Sequence, residues 1–109
     1  METFKLPVDT IYGRREVEFN GRRVDNFPGR KTDDNNQGVT KTEYTEYEVE
    51  NQRRIIHTAQ WIDQPSNVQF CTMRERRAPD FPPLFLPEPE QGRSLTLEEA
   101  LALSLPLKK

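Results

Sequence analysis

Thr40 to Met73 reads TKTEYTEYEVENQRRIIHTAQWIDQPSNVQFCTM and holds the only Trp, His and Cys of the chain and two of its three Tyr. Within it, Lys41–Glu50 alternates aromatic, Thr and Glu residues, and Arg53–Ile62 follows with Ile55, Ile56, His57 and Trp61. β-branched and aromatic side chains at this density suit a pleated, half-buried surface, so both segments read as strands. Asn51-Gln52 divides them. A two-residue turn there sets Tyr47 opposite Ile56, Glu46 opposite His57 and Glu48 opposite Ile55, whereas a loop of about three to five residues moves the register by one. Asp63, Pro65, Ser66 and Asn67 form a second turn. The next strand, Asn67–Met73, is expected to carry Val68 and Phe70 on one face, completing a three-stranded antiparallel meander.

Upstream, METFKLPV places Phe4, Leu6 and Val8 on alternate positions, a short strand that Pro7 confines to an edge or an end. Asp9 to Gly13 turns the chain. REVEF, Asn20-Gly21 and RRVDNF then follow, and Asn-Gly is the usual source of the positive φ values of a type I′ turn, so a hairpin is expected at Asn20-Gly21. Its register opposes Phe19 to Arg22, Glu18 to Arg23 and Val17 to Val24, with Val17, Phe19 and Val24 on one face. Phe27-Pro28-Gly29 closes it, and Arg30–Gly38 is a polar loop without an apolar residue.

Downstream of Ala78 the composition changes. Five of the nine prolines fall between Pro79 and Pro89, which marks an extended, polyproline-like arm; Phe81, Leu84, Phe85 and Leu86 give that arm apolar material to lay on a surface. Thr96 followed by Glu99 is a capping box, and Leu97, Ala100, Leu101 and Leu103 or Leu105 continue into a short helix stopped by Pro106, with Lys108 and Lys109 near its negative end. A helix of this length is marginal alone and must dock, either on its own sheet or on a partner. The domain reading is therefore a β-sheet domain over 1–77, a Pro-rich arm over 78–94 and a C-terminal helix and tail over 95–109.

The chain has 109 residues, 33% hydrophobic and 31% charged, so a single domain with a thin core is expected, completed by its own tail or by a partner. One Cys excludes an internal disulfide, and with no apolar leader at the start the compartment reads as reduced and cytoplasmic. No apolar run approaches the ~20 residues needed to span a bilayer. Basic and acidic residues come in alternating blocks, which favours charge pairing within the chain over a single field for nucleic acid.

EVEFNGRRV, followed after the acidic loop by TEYTEYEVENQRRIIHTAQWID, resembles the body of the small bacterial proteins of the EXLDI family, over roughly Glu16 to Asp63. The Glu-X-Leu-Asp-Ile motif that those proteins carry near the end is not in this chain. The resemblance implies a β-sheet body and a bacterial or phage setting, and it implies no activity.

Candidate chemistry is sparse. His57 and Cys71 on neighbouring strands form a possible nucleophile pair, set against a sheet His bonded to Glu46 and an inert buried Cys. One His and one Cys cannot make a four-ligand zinc site, and the glycines stand singly, so neither a metal nor a cofactor is expected. Alternating Glu43, Glu46, Glu48 and Glu50 read as a solvated strand face. Two binding surfaces remain. The arm and helix, with Phe81, Leu84, Phe85, Leu86, Leu97 and Leu101, suit a protein partner; Tyr44, Tyr47, Trp61, Arg53 and Arg54 suit single-stranded nucleic acid. The expectation is an α+β, mainly β fold with one antiparallel sheet of four to six strands, a hairpin plus the meander, and a short C-terminal helix. The expected function is that of a non-catalytic protein-binding module, antitoxin-like, phage-borne or regulatory, or a homodimer, with nucleic-acid binding as the alternative.

Overall fold

A computed structural model of the chain describes residues 1–28, 32–33, 39–62, 68–77 and 82–106. The strands are β1 (Glu2–Thr10), β2 (Gly13–Pro28), β3 (Thr32–Asp33), β4 (Val39–Glu48), β5 (Arg54–Ile62) and β6 (Val68–Glu75), followed by the helix α1 (Leu97–Leu103). All ladders are antiparallel, in the order β1-β2-β4-β5-β6, with the two-residue β3 beside β4. The fold is thus α+β, mainly β, with a single antiparallel sheet and one short C-terminal helix.

The hairpin lies elsewhere than expected. β1 and β2 turn at Ile11-Tyr12, where Thr10 faces Gly13; the positive φ falls on Gly13, at 95°, rather than on either loop residue, the pattern of a turn closed by a glycine bulge. Thr10 Oγ1 donates to the Gly13 carbonyl at 2.7 Å and accepts from the Tyr12 N–H at 3.1 Å. Asn20 and Gly21 sit within β2, opposite Thr3 and Glu2. Phe19 consequently faces Phe4, Glu18 faces Lys5 and Val17 faces Leu6, and the strand runs on through Phe27 and Pro28 against β4.

Gly21 has no positive φ to supply. What the site requires is the missing side chain: a Cβ at Gly21 would stand 2.7 Å from the Glu48 carbonyl oxygen and 3.1 Å from Val49 Cγ1. There β2 leaves its last partner in β1 and, from Arg22 on, pairs with β4. One 16-residue strand therefore serves two ladders.

The meander forms as expected, with the longer of the two loops. Val49 N–H donates to the Arg53 carbonyl at 2.9 Å across a turn in which Asn51 and Gln52 take positive φ. The register is Tyr47 to Ile55, Glu46 to Ile56 and Thr45 to His57. Of the polar loop, Thr32–Asp33 is a strand and the remainder lies outside the described residues.

The two ends of the strand order are tied together by side chains. Asp9 in β1 accepts from the Cys71 N–H of β6 at 3.0 Å and from Arg14 Nε at 2.7 Å, while Arg14 Nη1 donates to the Val68 carbonyl. Burial opposes charge on Asp9, yet the Arg14 guanidinium and the Cys71 N–H hold its carboxyl below the usual range. The sheet is curled into a cup whose edge strands guard each other.

The tail closes one end of that cup. Leu95 makes a parallel bridge to Val17, and Leu105 N–H donates to the Asp9 carbonyl at 2.9 Å. Between these two clamps α1 begins at the capping box: Thr96 Oγ1 accepts from Glu99 N–H, and Glu99 Oε1 accepts from Thr96 N–H. Leu95, Ala100 and Leu103 are buried, the first two with Val8, Val17, Phe19, Tyr47, Val49, Ile55 and Met73. Phe4, Phe19 and Tyr47 cluster with ring centroids 4.8 to 5.6 Å apart, Tyr47 meeting both phenylalanines edge to face, geometry favourable beyond area alone. Lys108 and Lys109 lie outside the described residues.

Candidate functional site

Period-2 alternation puts Ile55, His57, Ala59 and Trp61 of β5 on the inner face of the cup. Ile55, with Tyr47 and Met73, belongs to the packed end. Further along the same strands the helix no longer reaches, and a cavity of about 280 Å³ remains between the β1–β2 hairpin and the meander. Its lining is divided. β2 and β4 supply Arg23, Asn26, Glu43, Thr45 and Tyr47; β1, β5 and β6 supply Leu6, Pro7, Ala59, Trp61, Val68 and Cys71, with His57 at the boundary.

Two bulges aim residues into this space. In β2, Arg23 faces Tyr47 while Asp25 faces Glu46, so Val24 is extra and Asn26 comes round to the side of Arg23. In β6, Phe70 faces Gln60 while Val68 faces Trp61, so Gln69 is extra. Val68 thereby leaves the face of Phe70, contrary to the expected pairing, and joins Cys71 at the cavity. Bulges commonly re-aim side chains in this way.

His57 is buried, and its Nε2 lies 2.8 Å from the Pro7 carbonyl oxygen. A carbonyl only accepts, so Nε2 carries the hydrogen and Nδ1 is left as an acceptor. Burial pushes the imidazole below its ordinary pKa, against the Pro7 bond and the Glu43 charge; the ring is neutral at pH 7. Glu46, the expected partner of His57, lies on the opposite face, buried and bound by Arg76 at 2.6 Å and by Arg54 at 3.7 Å. The Glu row is accordingly not one solvated face: Glu43 borders the cavity and Glu46 anchors arginines.

Polar groups in the cavity are incompletely used. Asn26 Nδ2 donates to Thr45 Oγ1 at 3.0 Å and to Glu43 Oε1 at 3.4 Å. Among the described residues, His57 Nδ1, the Tyr47 hydroxyl and the Arg23 guanidinium have no hydrogen-bond or ion-pair partner. Burial raises the Tyr47 hydroxyl, with Arg23 lowering it and Glu43 raising it, so that hydroxyl stands near both charges. No fully buried polar side-chain atom among the described residues is unpaired; Arg23 and Asn26 are exposed and Glu43 half-buried, so the polar wall of the cavity opens to solvent.

His57 and Cys71 share the inner face, but no hydrogen bond joins them. Burial raises the thiol, only partly offset by Arg14, which opposes the thiolate that a nucleophile requires. The nucleic-acid set is likewise dispersed. Tyr44, three residues from Tyr47, points to the opposite face; Tyr47 is in the core, and Trp61 is at the cavity mouth with Lys41 Nζ 5.8 Å from its ring centroid. Arg53 is held by Glu75 and Glu98, and Arg54 by Glu46 and Glu48. No cluster of three or more His, Cys, Asp or Glu suited to a metal occurs among the described residues.

The arm presents the opposite picture. Leu97 and Leu101 pack against the core, whereas Phe85 is 91% and Leu84 61% exposed, with Leu86 and Tyr12 beside them at the surface. The segment is fastened at both ends. Leu84 N–H donates to the Ala102 carbonyl at 2.9 Å, the Tyr12 hydroxyl donates to the Leu86 carbonyl, and Arg15 Nη2 donates to the Glu90 carbonyl at 2.9 Å. Phe81 lies outside the described residues. Sequence reasoning missed Tyr12 and Arg15 as anchors because their partners lie 74 and 75 positions away, and Arg23 and Asn26 as cavity residues because the misplaced hairpin paired them within its own strands.

No helix among the described residues is long and apolar enough to cross a membrane. No family model, curated protein or solved structure matches the chain.

Proposed function

We propose that the protein is a non-catalytic, cytoplasmic protein-binding module that docks through Leu84, Phe85 and Leu86. The observation that supports this reading is Phe85, 91% exposed on a segment whose backbone is already fastened. Exposed aromatic anchors cost solvation in the free chain and are recovered on burial, about 1.5–3 kcal/mol for such a side chain. A segment held extended beforehand loses less conformational freedom on binding. Glu88 and Glu90 follow the ridge, Glu88 within 4.0 Å of Arg15, so the matching surface is an apolar groove on another protein, as befits a small inhibitory, antitoxin-like or regulatory chain.

Removing the whole tail cannot test this, since Leu95, Ala100 and Leu103 are core. The variant to use is Leu84→Ser with Phe85→Ser. Co-purification of the tagged full chain from its host should bring down one stoichiometric partner that the double variant loses, with the same urea midpoint for both chains. A partner retained by the variant overturns the reading. A mass that doubles with concentration and halves in the variant makes the partner a second copy.

A further inference from the structure

The cavity inside the cup is independent of the arm, and its chemistry is specific. We propose that it binds a free apolar or aromatic α-amino acid, with the carboxylate at Arg23, the ammonium at Glu43 and the side chain against Leu6, Ala59 and Val68. Three features of the geometry lead there.

The first is an ion pair that is not made. Arg23 and Glu43 line one cavity and both act on the Tyr47 hydroxyl, yet they do not bridge each other. Arg14, Arg22, Arg53, Arg54, Arg76 and Arg93 are all paired with carboxylates. A guanidinium with its fork open offers a bidentate seat for a carboxylate. A purely anionic ligand would face Glu43, and a purely cationic one would face Arg23. A zwitterion whose ammonium and carboxylate are carried on the same carbon satisfies both.

The second is the division of the walls. Polar residues come from β2 and β4 and apolar ones mainly from β1, β5 and β6, which orients a molecule with one charged end and one apolar end. His57 lines the same cavity, and its Nδ1 is fixed as an acceptor by the Nε2 bond to Pro7. The third is size. A cavity of about 150 Å³ accommodates benzene, so 280 Å³ has room for a ring or a branched aliphatic chain and a small head group.

Trp61, the only Trp, lines the cavity and reports its occupancy. Titration of the full chain with L-phenylalanine or L-leucine should give a saturable change in Trp fluorescence excited at the red edge. 3-Phenylpropionate, which lacks the ammonium, and phenethylamine, which lacks the carboxylate, should each bind about tenfold or more weakly, the loss expected for one charged hydrogen-bonded contact. Arg23→Ala should weaken L-phenylalanine and 3-phenylpropionate and leave phenethylamine unchanged; Glu43→Gln should weaken L-phenylalanine and phenethylamine and leave 3-phenylpropionate unchanged. No saturable response to either amino acid at millimolar concentration overturns the proposal. So does equal binding of 3-phenylpropionate with Glu43→Gln silent, which would leave a plain carboxylate site.

Discussion

The two ends of the cup are built from the same strands and differ in what arrives to fill them. At one end Tyr47, Ile55 and Met73 meet Phe4, Phe19, Leu95 and Ala100. At the other, Glu43, His57 and Trp61 enclose open space. Alternation along β4 and β5 continues unchanged from one end to the other, so the strands alone do not decide where the core stops. The tail decides it: Leu95 and α1 are clamped over Val17 and Thr10 and reach no further. In a chain only 33% hydrophobic, stability is concentrated at the covered end, which leaves the uncovered end free to carry polar groups without full partners.

Truncation should expose this difference most sharply. Phe19→Ala removes the ring that contacts both Phe4 and Tyr47 and should cost about 3–5 kcal/mol, read from the urea midpoint. Val68→Ala at the cavity only widens a space already open and should cost less than about 1 kcal/mol. Similar losses at both positions would show that the open end is packed as tightly as the closed one.

The bend that lets β2 serve both ends comes next. Gly21→Ala places a methyl against the Glu48 carbonyl, an atom of backbone that cannot swing aside, and should cost about 1–3 kcal/mol. Because β2 changes ladder here, the damage should fall on the β2–β4 pairing, with amide exchange quickening at Arg22, Arg23 and Tyr47 before it does at Val8 or Val17. An alanine tolerated without loss would mean that the close approach is not what glycine supplies.

Both ends differ also in how far they could be read from the residues. Phe4, Leu6 and Val8, the β-branched and aromatic density of the meander, and the Thr96–Glu99 box are local signals, and each gave its element. Asn20-Gly21 is a local signal too, and it misled: Gly13 closes the real hairpin, while Gly21 is needed for contact with Glu48 and Val49, which lie 27 and 28 positions away in the chain. The cavity was hidden for the same reason. Its residues come from five strands, and Asn26 and Val68 enter only through bulges at Val24 and Gln69, which break the period on which any face assignment rests. That Tyr44 and Tyr47 point apart could have been read from their spacing alone.

The smallest effect sits on the boundary between the two ends, at His57. Burial lowers its pKa in the folded chain from an ordinary 6.5, although the Pro7 bond and Glu43 resist. Above about pH 6.5 the ring is neutral in both states and contributes no slope. Below it the unfolded chain binds a proton that the folded chain refuses, so stability is lost as pH falls towards the folded value, and the loss levels off once the folded ring is protonated as well. Urea midpoints measured from pH 7.5 to 5 should therefore decline below about 6.5, and His57→Gln should remove that decline whatever it does to the midpoint at pH 7.5. The carboxylates bear on the same range only at its acid end: Asp9 and Glu99 are both lowered, Glu99 to about 2, so their stabilisation is intact above their unfolded values and fails only at lower pH. If the variant declines as steeply as the parent, the ring is not the group that senses pH, and the neutral acceptor placed at the cavity wall loses its support.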